Sequence, residues 1–463
     1  MTEQLKLKLN DSKATLWGAL VIVAFTMMAA YYVNDVVAPL KTMLETDLAW
    51  SSTDFGFFTG GYSFLNVFFL MLIWGGLILD RFGIRFTGKL ATILMVGGTA
   101  LEYYAMTGLA GADATLFGIN EIFGYKTGVF VAFAGYSIFG VGAEVAGITV
   151  SKIIAKWFKG KELATAMGVQ VALARIGSQA GYAVAIPLAR AFGISTPVLL
   201  GLVLLLGGMI AFFIFAVMDK KLDKQMEAAA IAAGTEDEEE KFSFKDVKNI
   251  LVNPGFWLIA LLCVLFYSCV FPFQKFASEL MIIKYGINEN VAGTFAGLPA
   301  LGALILTPVF GGFIDKRGKS ASIMLLGSAM LICVHFIYAI PDINYWLVAI
   351  VLMIILGIAF SLVPSAMWPA VAKIFPVSQL GTAYALIFFI QNIGLWGIPT
   401  LIGWVLDAYC ISGKKPDGTN MYDYTVPMCI FTGIACLSLI VALLLKKADK
   451  KYGYKLEEPN IQK

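Results

Sequence analysis

The chain has 463 residues, 59% of them apolar and 14% charged, with a mean hydropathy of +0.80. A soluble domain carries roughly a quarter charged residues, so the composition excludes a water-soluble globule and points to a chain built inside a bilayer. A net charge of +3 spread over this length is too small and dispersed for a nucleic-acid partner.

Met1 to Lys13 is polar and leads into an apolar run too long for a cleaved signal, with no small-residue cleavage pattern behind it, so the first span reads as a retained helix. Apolar runs of about 20 residues predict about twelve membrane helices, near 16–38, 53–79, 88–109, 128–151, 162–189, 195–217, 256–282, 292–314, 321–340, 345–372, 380–406 and 426–446. Between the sixth and seventh lie Asp219-Lys220-Lys221 and the run Glu236-Asp237-Glu238-Glu239-Glu240-Lys241, a segment too polar to bury and read as a solvated linker. The stretch Phe244 to Leu251 has an amphipathic pattern, although a plain linker is the simpler expectation there. The six cysteines, Cys263, Cys269, Cys333, Cys410, Cys429 and Cys436, mostly fall in apolar runs without metal-ligand spacing and read as small buried hydrophobes.

Two turns share a signature. Gly76-Leu77-Ile78-Leu79-Asp80-Arg81-Phe82-Gly83-Ile84-Arg85 reappears as Gly311-Gly312-Phe313-Ile314-Asp315-Lys316-Arg317-Gly318-Lys319, with Gly, Asp and Gly each displaced by 235 residues. Each copy follows an apolar run, so each is a charged turn at the foot of a membrane helix, and the duplication implies two related bundles, the usual build of a secondary transporter. Arg81, Arg85, Lys89, Lys152, Lys156, Lys159, Lys161, Lys316, Arg317, Lys319, Lys373, Lys446 and Lys447 fall on one side; Lys41, Lys126, Arg190, Lys414 and Lys415 fall on the other. The positive-inside rule then makes both termini, the linker and the repeated turns cytoplasmic. Gly76, Asp80, Arg81, Gly83 and Arg85, with Gly311, Asp315, Lys316, Gly318 and Lys319, are expected to act as a conformational latch, Asp80 or Asp315 capping a helix or pairing with a base.

Ionisable groups inside spans cost about 2.5–3.5 kcal/mol on insertion scales and face a cavity or a partner. At 1.5 Å per residue, Glu144 lies about 12 Å from Lys152 and Arg175 roughly 20 Å from Glu162, so both fall near mid-membrane on adjacent antiparallel helices. Two readings stand: an acid and a base held apart for the ammonium and carboxylate of a zwitterion, or a buried salt bridge between the two. Asp35, next to Asn34, suits a gate, a cavity wall or plain interfacial exposure. Tyr62 and Asn66 are candidate cavity-lining residues, and Tyr267, Trp368, Gln391 and Asn392 offer aromatic walls and amides from the second half, with interfacial anchoring the other reading of Trp368. Lys275 and Glu279, spaced i, i+4, read as an ordinary intrahelical pair. Glu102 is expected to satisfy a neighbouring helix, and His335, the single histidine, to be a packing residue.

The double turn, the twelve spans and the acidic linker together resemble the major facilitator superfamily over nearly the whole chain. Trp157-Phe158-Lys159-Gly160-Lys161-Glu162-Leu163 with Ala174-Arg175-Ile176-Gly177-Ser178, and Trp368-Pro369 with Val371-Ala372, Gln379-Leu380-Gly381-Thr382-Ala383-Tyr384, Gln391-Asn392 and Gly394-Leu395, resemble its branch of lysosomal dipeptide uniporters. The resemblance implies a fold of two pseudo-symmetric six-helix bundles, here residues 1–217 and 256–463 joined by 218–255, and alternating access. It also implies that Glu144 and Arg175 grip the amino and carboxyl ends of a dipeptide. That branch works with a glycosylated accessory subunit, for which these residues carry no signature.

The first span holds only Asp35 where proton-coupled peptide symporters have an acidic and arginine cluster, which favours uniport; proton symport remains an alternative. The second and eighth spans lack the arginines of nitrate porters. A small organic-anion exchanger, oxalate- or monocarboxylate-like, would still find its cation in Arg175. No Ser/His/Asp set, phosphate loop or metal cluster is visible, so neither an enzyme nor a cofactor or metal is expected; a nontransporting solute sensor would need an output domain larger than the linker or tail. The expectation is therefore a monomeric, multi-pass carrier of small zwitterions. No acidic dileucine sorting signal is visible near the N-terminus, which favours a bacterial inner membrane.

Overall fold

The structure is a computed structural model and describes residues 8–111, 114–158, 161–233 and 244–459. A short 3-10 turn (Leu9–Asp11) precedes α1 (Lys13–Val36), whose N-terminus Ser12 caps by accepting from the Thr15 amide. A second 3-10 turn (Ala38–Leu40) leads into α2 (Lys41–Leu48). Ser51 and Asp54 then form a reciprocal capping box at the start of α3 (Ser52–Phe68). At Leu70, which adopts φ 54°, the chain bends by 58° into α4 (Met71–Thr107).

The long α4 is two spans in one run, because Gly83 inside it has φ 74° and ψ 174°, outside the helical region. That conformation is open essentially to glycine alone, so the expected turn is there, with no intervening loop. The hairpin β1 (Glu121–Ile122) and β2 (Tyr125–Lys126) leads to α5 (Thr127–Trp157), α6 (Leu163–Phe192) and α7 (Thr196–Ala233). The second half runs through α8 (Phe244–Val252), α9 (Pro254–Tyr285), α10 (Glu289–Ala296), α11 (Leu298–Arg317), α12 (Ser320–Ala339), α13 (Trp346–Ile374) and α14 (Val377–Tyr409). The hairpin β3 (Ile411–Lys414) and β4 (Asn420–Tyr422) then precedes α15 (Thr425–Tyr452).

Among the described residues nine helices are long and apolar enough to span a membrane unaided. The bent pair divided at Gly83 supplies two more, and α6, diluted by Gln170, Arg175, Ser178 and Gln179, completes twelve. The chain is a multi-pass, all-α membrane protein of two six-helix bundles. Val203, Ile210, Ile214 and Val217 on α7, and Leu437, Ile440 and Leu444 on α15, are exposed apolar side chains that meet lipid rather than water.

Part of the linker expected over 218–255 is helical. The sixth span continues as helix to Ala233, and 244–252 is helical too, consistent with the high helix propensity of Ala and Lys there; the acidic run 236–240 lies outside the described residues. Three cysteines, Cys333, Cys429 and Cys436, are exposed rather than buried, because apolar runs facing lipid need no protein cover.

Candidate functional site

The repeated turns are built alike and held differently. Gly318 has φ 69°, matching Gly83 at the same offset. Around the first turn, Asp80 pairs with Lys152 at 3.1 Å, and Arg85 reaches Asp223 at 2.6 Å and Asp219 at 3.5 Å. Asp219, fully buried on α7, also accepts from Lys156 at 2.8 Å and from the Trp157 indole at 2.9 Å. Arg81 lies 5.5 Å from the ring of Phe82. At the second turn the tail following α15 takes the place of Asp219: the amides of Lys319 and Ser320 donate to the carbonyls of Glu457 and Leu456, and Ser322 binds the Glu457 carboxylate through both its amide and hydroxyl. Gly76 and Gly311 face open space, and Lys316 is exposed while Asp315 is engaged.

Between the bundles, Glu144 on α5 accepts from the Tyr62 hydroxyl of α3 at 3.1 Å. Arg175 on α6 lies against two rings, 5.6 Å from Tyr31 of α1 and 4.8 Å from Phe360 of α13. Among the described residues no carboxylate stands at ion-pair distance from Arg175, so the two charges do not bridge each other. Tyr31 is within electrostatic reach of both Arg175 and Glu144, and Tyr267 within reach of Arg175. Tyr267 accepts from the Trp368 indole at 3.3 Å and stacks on Phe271, while Trp368 stacks on Phe388. The arrangement is an arginine held by aromatic faces from both bundles, and a carboxylate held by a phenol.

Other expected residues sit elsewhere. Gln391 accepts from Cys263 at 3.3 Å, and Asn392 is buried, donating to the Phe388 carbonyl of its own helix. Asn66 is buried, and neither of its side-chain polar atoms has a partner among the described residues. Asp35 faces the other bundle: it pairs with Lys275 at 3.3 Å and accepts from Ser178 at 2.6 Å. Lys275 also donates to the Asn34 carbonyl at 2.6 Å.

The intrahelical pairing expected for Lys275 and Glu279 is therefore wrong, since Glu279 meets Lys41 at 2.5 Å instead. Opposite charges on facing bundles offer a fuller desolvated contact than neighbours on one helix. Glu102 is completely buried, and neither of its oxygens has a hydrogen-bond partner among the described residues. His335 is the packing residue expected, its Nε2 3.0 Å from the Cys269 carbonyl and its ring stacked on Phe431. Sequence reasoning missed Tyr31 and Phe360, which carry no charge to mark them, and counted Lys41 and Lys415 only as loop charges; the i, i+4 spacing of Lys41 and Glu45 was the available signal. No group of residues fit to hold a metal occurs among those described.

A family profile described as Major Facilitator Superfamily matches residues 20–399 and, in a second match, 276–458. The lysosomal dipeptide transporter MFSD1 of Homo sapiens is 29% identical over 448 residues, 94% of this chain and 86% of that protein. Among solved structures, a point mutant of the nucleoside transporter NupG aligns with a TM-score of 0.68 at 12% identity, over 93% of this chain and 99% of the other. A point mutant of the peptide transporter POT, solved in complex with sulfate, gives 0.68 at 14% identity, over 96% of each chain. At such identities the structures speak for the fold alone. The bacterial inner membrane expected for the chain finds no support in relatives named lysosomal.

Proposed function

This chain belongs to the Major Facilitator Superfamily, and we propose that within it the protein carries dipeptides by alternating access, driven by the substrate's own gradient. The observation that carries the reading is Arg175. A mid-membrane arginine is costly without a counter-charge, yet its neighbours here are the faces of Tyr31 and Phe360, which leave its planar donor fork free for a carboxylate. Glu144, held among the described residues by Tyr62 alone, keeps acceptor capacity for an ammonium. A dipeptide presents both charges, and the walls of Tyr267 and Trp368 offer contact that is tolerant of side chain. The similarity to a transporter named for dipeptides supports the same reading. In this account Tyr62 and Asp35 line the path, whereas Asn66, Gln391 and Asn392 shape it from behind.

With the basic end cytoplasmic, the state seen here is sealed on the far side. The experiment is a thermal-shift series of purified protein with dipeptides, tripeptides, free amino acids and dicarboxylates, since a ligand of the native state raises the melting point by mass action. Dipeptides should give the largest shift. A response confined to mono- or dicarboxylates would replace the proposal with anion exchange through Arg175. Proteoliposomes test the energetics: accumulation above equilibrium under an inward proton gradient would replace uniport with symport.

A further inference from the structure

At the end of the molecule opposite the repeated turns, four charges from both bundles are shut away from solvent. Lys41 and Glu45 come from α2, Glu279 from α9, and Lys415 from the turn of the β3–β4 hairpin. Lys41 is 1% exposed and Glu279 1%; the Lys41 ammonium lies 2.6 Å from Glu45 and 2.5 Å from Glu279. Lys415 stands 3.7 Å from each of the same carboxylates, so charge alternates around a square. Further contacts come from both sides: Ser52 donates to Glu45 at 3.1 Å, Tyr424 donates to Glu279, and the Tyr422 ring lies 4.7 Å from the Lys41 ammonium, while Glu45 Oε2, Glu279 Oε1 and Lys415 Nζ have only the longer ionic contacts among the described residues. Burial and the Glu279 carboxylate push the Tyr424 phenol well up, which keeps it a proton donor. Beside the square, the first amides of α3 donate across the same seam to Asp407 of α14, Ser52 at 3.3 Å and Thr53 at 2.6 Å, a carboxylate at a helix N-terminus.

We propose that the Lys41–Glu45–Glu279–Lys415 square is the latch that closes the far mouth, formed in this state and broken whenever that mouth opens. Buried ion pairs add little net stability compared with apolar packing, but losing one partner while the rest stay buried is strongly destabilising. A set split between two rigid bodies therefore has two stable arrangements, fully assembled and dry or fully parted and hydrated, with a poor intermediate. That steepness is what a gate requires. The Arg190 and Glu289 pair at the same seam is 43% and 39% exposed and is screened by water, so it adds little.

The test is double electron-electron resonance between spin labels at Thr46 and Lys414, exposed positions beside the square, in a background without the native cysteines. The unaltered square should give one short-distance population without substrate. Glu279→Gln should raise the ratio of long to short distances at least about tenfold, the equivalent of about 1.4 kcal/mol. Inverting all four charges (Lys41→Glu, Glu45→Lys, Glu279→Lys and Lys415→Glu) keeps opposite signs at every contact of the square and should return the short population. No shift in folded Glu279→Gln protein, or a fully inverted square no better than Lys41→Glu alone, would overturn the latch; melting curves establish which variants fold. Because the measurement needs no substrate, it stands or falls separately from the dipeptide reading.

Discussion

Arg175 faces two aromatic rings from opposite bundles, so its guanidinium is both the candidate anchor for a carboxylate and a point where the bundles sense each other. Arg175→Ala should abolish uptake. Arg175→Lys should recover little, because a point ammonium lacks the planar fork; losing a charge-assisted bond of about 1.5–3 kcal/mol corresponds to about ten- to a hundredfold in dipeptide affinity, measurable by calorimetry. Glu144→Gln keeps the shape and the Tyr62 contact while removing the charge. Dipeptides blocked at the N-terminus should then bind this variant and the parent alike, whereas free dipeptides should bind the variant more weakly. Unchanged affinity for free dipeptides would make Glu144 a structural acceptor for Tyr62.

At the scale of elements, the two turns separate backbone strain from tertiary contact. A side chain at Gly83 would meet nothing within 4 Å, so Gly83→Ala reports φ strain alone, about 1–3 kcal/mol. A Cβ at Gly318 would stand 2.5 Å from the Glu457 carbonyl oxygen as well. Gly318→Ala should therefore lower the melting temperature more than Gly83→Ala does. Truncation after Tyr452 should itself destabilise, since it frees the amides of Lys319 and Ser320 and the side chains of Ser322 and Lys373, yet it should shrink the added penalty of Gly318→Ala. A penalty that survived truncation would deny the tail its part in holding the turn.

For the whole molecule, rocking of two bundles demands that each end close in turn. The far end is now shut by backbone approach as well as by charge: a Cβ on Gly60 of α3 would come 2.6 Å from the Thr400 hydroxyl of α14. A disulfide between Gly60→Cys and Thr400→Cys, in a chain lacking the six native cysteines, should hold that mouth closed and stop transport until reduced. Full flux with the disulfide intact would refute alternating access. The same cross-link should leave dipeptide-induced melting shifts in place, because in the proposed function the substrate meets Glu144 and Arg175 and not Gly60 or Thr400.

The amino-acid sequence by itself determined the features that depend on neighbours along the chain. Bilayer-length apolar runs set the spans, and the duplicated Gly-Asp-Gly turn set the two-fold build, because hydropathy and positive φ act within a few residues. The separation of Glu144 from Lys152 and of Arg175 from Glu162 fixed how far along their helices the two charges lie for the same reason. The choice of partners belongs to the tertiary structure. Lys275 and Glu279 share one helix face, yet their counter-charges are Asp35 and Lys41, 240 and 238 residues away in sequence. Inside a membrane a buried charge goes to whichever opposite charge can be desolvated with it, and that depends on which face of one bundle meets which face of the other.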